Sequence, residues 1–192
     1  MPHIALPPDL PGISAGFAFR PETAKPMREL AHILLFESNS LTSGERELIA
    51  TYVSTLNDCY FCAASHGAAA ACHLDNDATV KQVQTSFSQA PISAKLKHLL
   101  TIAGKVQQGG KNVTAEDVAA ARAEGATDLE IHDTVLIAAA FCMYNRYVDG
   151  LATWQPRDEA MYEPMGKHLA EHGYRTPSVS APKAAEQQAV LA

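Results

Sequence analysis

A chain of 192 residues suits one domain, or one domain with tails, and is long enough to bury a sizeable core. Its net charge of −6 and its lack of any Lys/Arg cluster exclude nucleic acid as a partner, because phosphate binding needs concentrated positive charge. Charged residues make up 19%, below the roughly 25% usual for soluble domains; alanine takes much of their place, which favours closely packed helices and fits a subunit that hides part of its surface in an oligomer.

The first residues carry Pro2, Pro7, Pro8, Pro11, Gly12 and Gly16 and read as an extended arm over 1–21. No basic region followed by an apolar stretch opens the chain, so no secretory signal is expected and the protein is placed in the cytoplasm. A single domain is expected over 22–174. From Glu22 to Phe36 the positions Met27, Leu30, Ile33 and Leu34 recur at helical spacing. Thr42-Ser-Gly-Glu45 is a capping box opening a helix with Leu48, Ile49, Tyr52, Val53 and Leu56, and Asn57-Asp58 interrupts it. The run from Cys59 to Cys72 is rich in helix formers and free of proline. Further helices are expected at about 78–86, 93–107 and 114–124, the last ended by Gly125. A long helix starts at the capping box Thr127-x-x-Glu130 and reaches about Thr153; its apolar middle, Val135 to Met143, reads as the buried centre of the fold. That run is far shorter than the ~20 residues of a membrane helix. Residues 175–192 read as a disordered tail. No segment shows strand alternation, and the reading is all-α.

Cysteines stand at 59, 62, 72 and 142. A close pair in a reducing compartment points to metal binding or catalysis rather than to a structural disulfide. At 100° per residue, Cys59, Cys62 and His66 fall within a sector about 60° wide. Cys62 and His66, at i and i+4, are in reach of each other, so the imidazole can take the thiol proton. A helix start also lowers a thiol pKa, and on that ground alone Cys59 would be the nucleophile. Zinc is the rival reading, but Cys72, His73 and His132 make no obvious second ligand pair. Cys72 and Cys142 read as small core residues, Tyr52 and Tyr60 as half-buried packing that could border a pocket, and Arg146 with Asp149 as a structural pair. Glu47 reaches His66 only if the chain bends at Asn57-Asp58.

The stretch from Glu45 through Glu47, Asn57, Cys59-Tyr-Phe-Cys62 to His66 resembles the core motif of the alkyl hydroperoxidase D-like (AhpD-like) proteins of the carboxymuconolactone decarboxylase superfamily, in particular their peroxidase-related branch. Asn145-Arg146 extends the resemblance more loosely. The resemblance implies an AhpD-like helical bundle with the Cys-x-x-Cys at the N-terminus of a core helix. It also implies Cys62 as peroxidatic cysteine, Cys59 as resolving cysteine, His66 as general base and Glu47 at the far end of a proton relay. It implies no metal or organic cofactor, a hydroperoxide substrate, an external dithiol or protein reductant, and a homo-oligomer (a trimer, or a hexamer of dimers). Phe61 stands where well-known members carry a further relay histidine, which implies a poorer relay. Two other readings remain: a lactone decarboxylase, against which the cysteine pair counts, and a non-enzymatic, redox-responsive oligomer.

Overall fold

The computed structural model describes residues 1–175; the tail expected over 175–192 lies, but for Arg175, outside them. Among the described residues the chain forms nine α-helices and no strand. They are α1 (Ile13–Phe19), α2 (Pro21–Leu35), α3 (Ser43–Leu56), α4 (Tyr60–Leu74), α5 (Asp77–Ser86), α6 (Ala94–Gln108), α7 (Ala115–Ala123), α8 (Asp128–Gly150) and α9 (Tyr162–His172). No helix among the described residues is long and apolar enough to cross a membrane.

The expected helix starts are where the capping chemistry put them. Thr42/Glu45, Thr114/Asp117 and Thr127/Glu130 all form reciprocal capping boxes, each meeting orphan N–H groups of the first turn. The central core joins α2, α3, α6 and α8 through residues such as Leu35, Leu48, Ile49, Leu99, Leu100, Ile102, Ile137 and Phe141, all essentially without solvent exposure. Each such side chain stabilises the fold by about 1.5–3 kcal/mol. Arg46 is buried among them, its guanidinium donating to Leu34 O (2.9 Å), Glu37 O (2.8 Å) and Ser43 Oγ (3.1 Å). It thereby fixes the end of α2 against the start of α3.

Two expectations need correction. Residues 1–21 are not an extended arm throughout: Ile13–Phe19 is helical, and Leu10 and Ala15 are buried against the chain's own domain. The seven helical residues between the flanking prolines make about two turns of helix, with Ala15 and Gly16 buried. The segment is held by His3 N–H to Leu151 O (3.0 Å) and Gly12 N–H to Trp154 O (2.7 Å). The middle of α8 is not buried on every side either. Ile137, Ala138 and Phe141 face the core, whereas Ala139 and Met143 are exposed and Val135, Leu136 and Cys142 half-buried. Helices α1, α3 and α6 cover one side of α8, and its apolar outer side is left uncovered among the described residues.

One helix escaped the sequence reading. Helix α9 packs along α4 with Gly166 set against the backbone of Ala68; a Cβ at Gly166 would lie 2.5 Å from Ala68 C. Only glycine allows that approach.

Candidate active site

Helices α3 and α4 place the site. Between them, Asp58 takes a left-handed φ of 57° and Cys59 becomes the N-cap of α4, its N–H donating to Ser54 O at 3.1 Å. The chain therefore reverses at Asn57-Asp58, and α4 packs back along α3. A buried amide network holds the corner: Asn57 Nδ2 donates to Asn145 Oδ1 (2.8 Å), Asn145 Nδ2 to Ser54 Oγ (3.1 Å), and Gln107 Nε2 to Asn57 Oδ1 (3.0 Å). Asn145 of the loosely matching Asn-Arg pair thus belongs to the corner. Arg146 does not pair with Asp149. It bonds Cys142 O (2.8 Å), and Asp149 accepts from Gln155 (2.9 Å), because i, i+4 backbone and loop partners lie nearer.

The reversal brings Glu47 to His66. Glu47 Oε2 lies 2.9 Å from His66 Nδ1, with the carboxylate side chain 2% and the imidazole 13% exposed. With Nδ1 held by the carboxylate, Nε2 is the ring nitrogen left for a proton from elsewhere. Edge-on packing against Phe141, with centroids 4.6 Å apart, fixes the ring.

Cys59 and Cys62 are both free and buried. A hydrogen bond to Cys62, and then burial, push the Cys59 thiol well above the ordinary thiol range. Burial thus works against the helix-start argument for Cys59. Cys62 and His66 open onto one small cavity of about 80 Å³, otherwise lined by apolar side chains such as Met27, Leu169 and Phe141 and by Arg28 and Tyr174. Among the described residues no group of three His, Cys, Asp or Glu side chains is arranged to hold a metal ion.

Tyr174 is the site residue that the sequence reading missed. Gly173 ends α9 with φ 68°, close against His32, and Tyr174 N–H donates to His32 Nδ1 at 3.2 Å. That turn sends the tyrosine ring inward, where it stacks on His66 (5.7 Å, 13°) and its hydroxyl donates to Glu47 Oε1. The same hydroxyl lies 3.2 Å from His66 Nδ1. Burial first, then the Glu47 charge, raises the Tyr174 pKa well above its usual value, so it remains a donor. Arg175 clamps the turn by bonds to Glu29 and Glu37. Nothing in local spacing links Tyr174 to Glu47, 127 positions away.

Phe61 points away from the relay. Its ring fills the space beside Gly12 and packs on Tyr162 at 5.9 Å, while its N–H donates to Gln155 Oε1 at 3.1 Å. Tyr60 is held by Arg157 over its ring (4.5 Å), and Tyr52 packs on Phe87, away from the thiols. Cys72 is exposed rather than in the core, because it lies on the outer side of α4; Cys142 is half-buried. His132 is exposed beside Asp133.

The fold has solved relatives. Over 88% of this chain and 83% of the other, it superimposes with a TM-score of 0.73 and 26% identity on the alkylhydroperoxidase AhpD core of an uncharacterized peroxidase-related protein from Ralstonia eutropha JMP134. An uncharacterized peroxidase-related protein from Silicibacter sp. TM1040 matches with a TM-score of 0.71 and 26% identity, over 78% and 76% of the two chains. The architecture is thus the AhpD-like helical fold. Residues 21–86, which span Glu47, both site cysteines and His66, match the Carboxymuconolactone decarboxylase family. The family match over residues 21–86 and the shared fold support a place beside the AhpD-like, carboxymuconolactone decarboxylase proteins. No protein of curated function matches the sequence.

Proposed function

We propose that the chain is a thiol-dependent peroxidase with Cys62 as nucleophile. The observation that carries this reading is the buried Glu47–His66 pair, 2.9 Å apart, facing the cavity onto which Cys62 opens. His66 takes the Cys62 proton, and Glu47 stabilises the imidazolium that results. The thiolate attacks the terminal peroxide oxygen, the O–O bond breaks, and the alkoxide leaves as alcohol with the proton from His66. Cys59 then attacks the Cys62 sulfenic acid, water leaves, and a disulfide forms. Dithiol and hydroperoxide thus give disulfide, alcohol and water, and an external dithiol or protein reductant restores the thiols. The upward push on the Cys59 thiol suits the resolving role, in which its proton is given up only after Cys62 has been oxidised. The uncovered apolar side of α8, with Leu129 and Met143 exposed, supports a homo-oligomer.

The test is thiol titration before and after stoichiometric peroxide, on wild type and Cys62→Ser. Wild type should lose two thiols per chain and turn over with a dithiol donor; Cys62→Ser should form no intramolecular disulfide and show no turnover. Equal peroxide turnover in the two proteins rejects the reading. Oxidation without sustained turnover against any donor would leave a redox-responsive module, and decarboxylation of the lactone by a cysteine-free variant would leave a decarboxylase.

A further inference from the structure

The thiol cavity adjoins a larger groove of about 440 Å³ between α1 and α2, and the two share Phe17 and Arg28 as a common wall. The Arg28 guanidinium lies over the Phe17 ring at 4.9 Å. Phe17 is the far end of the helix that the N-terminal segment lays across the domain, and Arg28 is one turn into α2 from Ala24, which also lines the groove. Its other walls are apolar at Leu10, Ala18, Pro21 and Ala24 and charged at the rim, where Lys25 and the Glu29–Arg175 pair stand.

Arg28 is a half-buried cation without a countercharge among the described residues. Among the described residues it makes no ion pair and no hydrogen bond through its side chain, and the neighbouring Glu29 carboxylate is already taken by Arg175. Burial lowers the Arg28 pKa, the sign of a guanidinium that has lost water and gained no anion in return. Stacking on Phe17 offsets part of that loss, but leaves the planar fork of donors open to a carboxylate. On the other side of the wall lie Cys62 and His66.

We propose that substrate reaches the dithiol through the α1–α2 groove past the Phe17–Arg28 pair, and that Arg28 selects organic hydroperoxides carrying a carboxylate. The proposal rests on the peroxidase reading for its chemistry. The hydroperoxide end occupies the small cavity at Cys62, and the carboxylate, separated from it by a short alkyl chain, meets Arg28. The reaction is the one given above, with the carboxylate unchanged. A charged hydrogen-bonded pair of this kind discriminates by about ten- to a hundred-fold.

The experiment compares ω-hydroperoxyhexanoate with its methyl ester, which have the same reacting atoms and differ in charge. Wild type should show kcat/KM higher for the acid by about ten- to a hundred-fold; Arg28→Gln should bring the ratio near one, and Arg28→Lys should keep part of it. A parallel titration follows binding of unreactive ω-hydroxyhexanoate calorimetrically. Binding that weakens in Arg28→Gln supports the site even if no peroxide is turned over, in which case the peroxidase reading alone fails. Equal kcat/KM for acid and ester on the wild-type protein, or hydroxy-acid binding indifferent to Arg28, overturns the proposal whether or not the variants fold.

Discussion

Replacing Glu47 by glutamine tests the relay most directly, because it removes a charge while keeping shape. The carboxylate is 2% exposed and 2.9 Å from His66 Nδ1, so solvent does little to screen it. A hydrogen bond between charged groups contributes about 1.5–3 kcal/mol, and each pH unit corresponds to about 1.4 kcal/mol. If Glu47 stabilises the imidazolium formed when Cys62 ionises, Glu47→Gln should disfavour that ionisation by about 1.5–3 kcal/mol. At neutral pH the thiolate-dependent rate should then fall about ten- to a hundred-fold. The assay is the rate of iodoacetamide alkylation at Cys62 against pH, measured in a Cys59→Ser/Cys72→Ser/Cys142→Ser background so that other thiols do not report. Glutamine retains an oxygen for the Tyr174 hydroxyl, so the fold should persist. A pH–rate profile that superimposes on wild type would refute the relay, whatever happened to stability.

Tyr174→Phe keeps the ring stacked on His66 but removes the donor to the buried Glu47 carboxylate. It should cost about 2 kcal/mol and lower Tm by about 4–8 °C for a chain of this size; an unchanged Tm in thermal unfolding refutes the contact. Gly166→Ala drives a methyl group into the backbone of Ala68 and should destabilise by about 1–3 kcal/mol, read as a lower midpoint in urea. A hydrogen bond to Cys62 and burial raise the Cys59 thiol pKa on folding, so the folded state keeps a proton that the unfolded chain releases. Stability of the reduced protein should therefore be intact below about pH 8.5 and fall above it, by up to about 1.4 kcal/mol per pH unit. Cys59→Ser should flatten that decline in Tm measured from pH 7 upward, and parallel slopes would contradict the shift.

The sequence carried the local chemistry of the site and little of its long-range geometry. Capping boxes at Thr42 and Thr127 are short-range patterns, and the helices begin at them. The same holds for the register of Cys62 with His66, which needs only four residues on α4. Glu47 was legible through the bend at Asn57-Asp58 together with a resemblance. By contrast, α1 was hidden by the prolines around it, and α9 by its mixed composition, since burial against a distant helix rather than propensity supports both. Tyr174 follows from the omission of α9, whereas Arg28 lay on an expected helix; each meets the site through tertiary packing, and a lone tyrosine or arginine announces nothing by its neighbours. The outer side of α8 misled for a related reason, because apolar residues on every side of a helix do not say whether the chain itself covers them.

The last contributor to the site, Tyr174, is also nearly the last residue of the domain to be synthesised. Glu47, the dithiol and His66 leave the ribosome more than a hundred residues earlier, about 5–20 s at ordinary elongation rates. During that interval α9 has yet to cover α4, and Gly173 has yet to turn the tyrosine inward. A nascent chain therefore carries two uncovered sulfhydryl groups without the lid that the finished protein provides, and a ribosome stalled before residue 174 would present them to whatever oxidant is nearby.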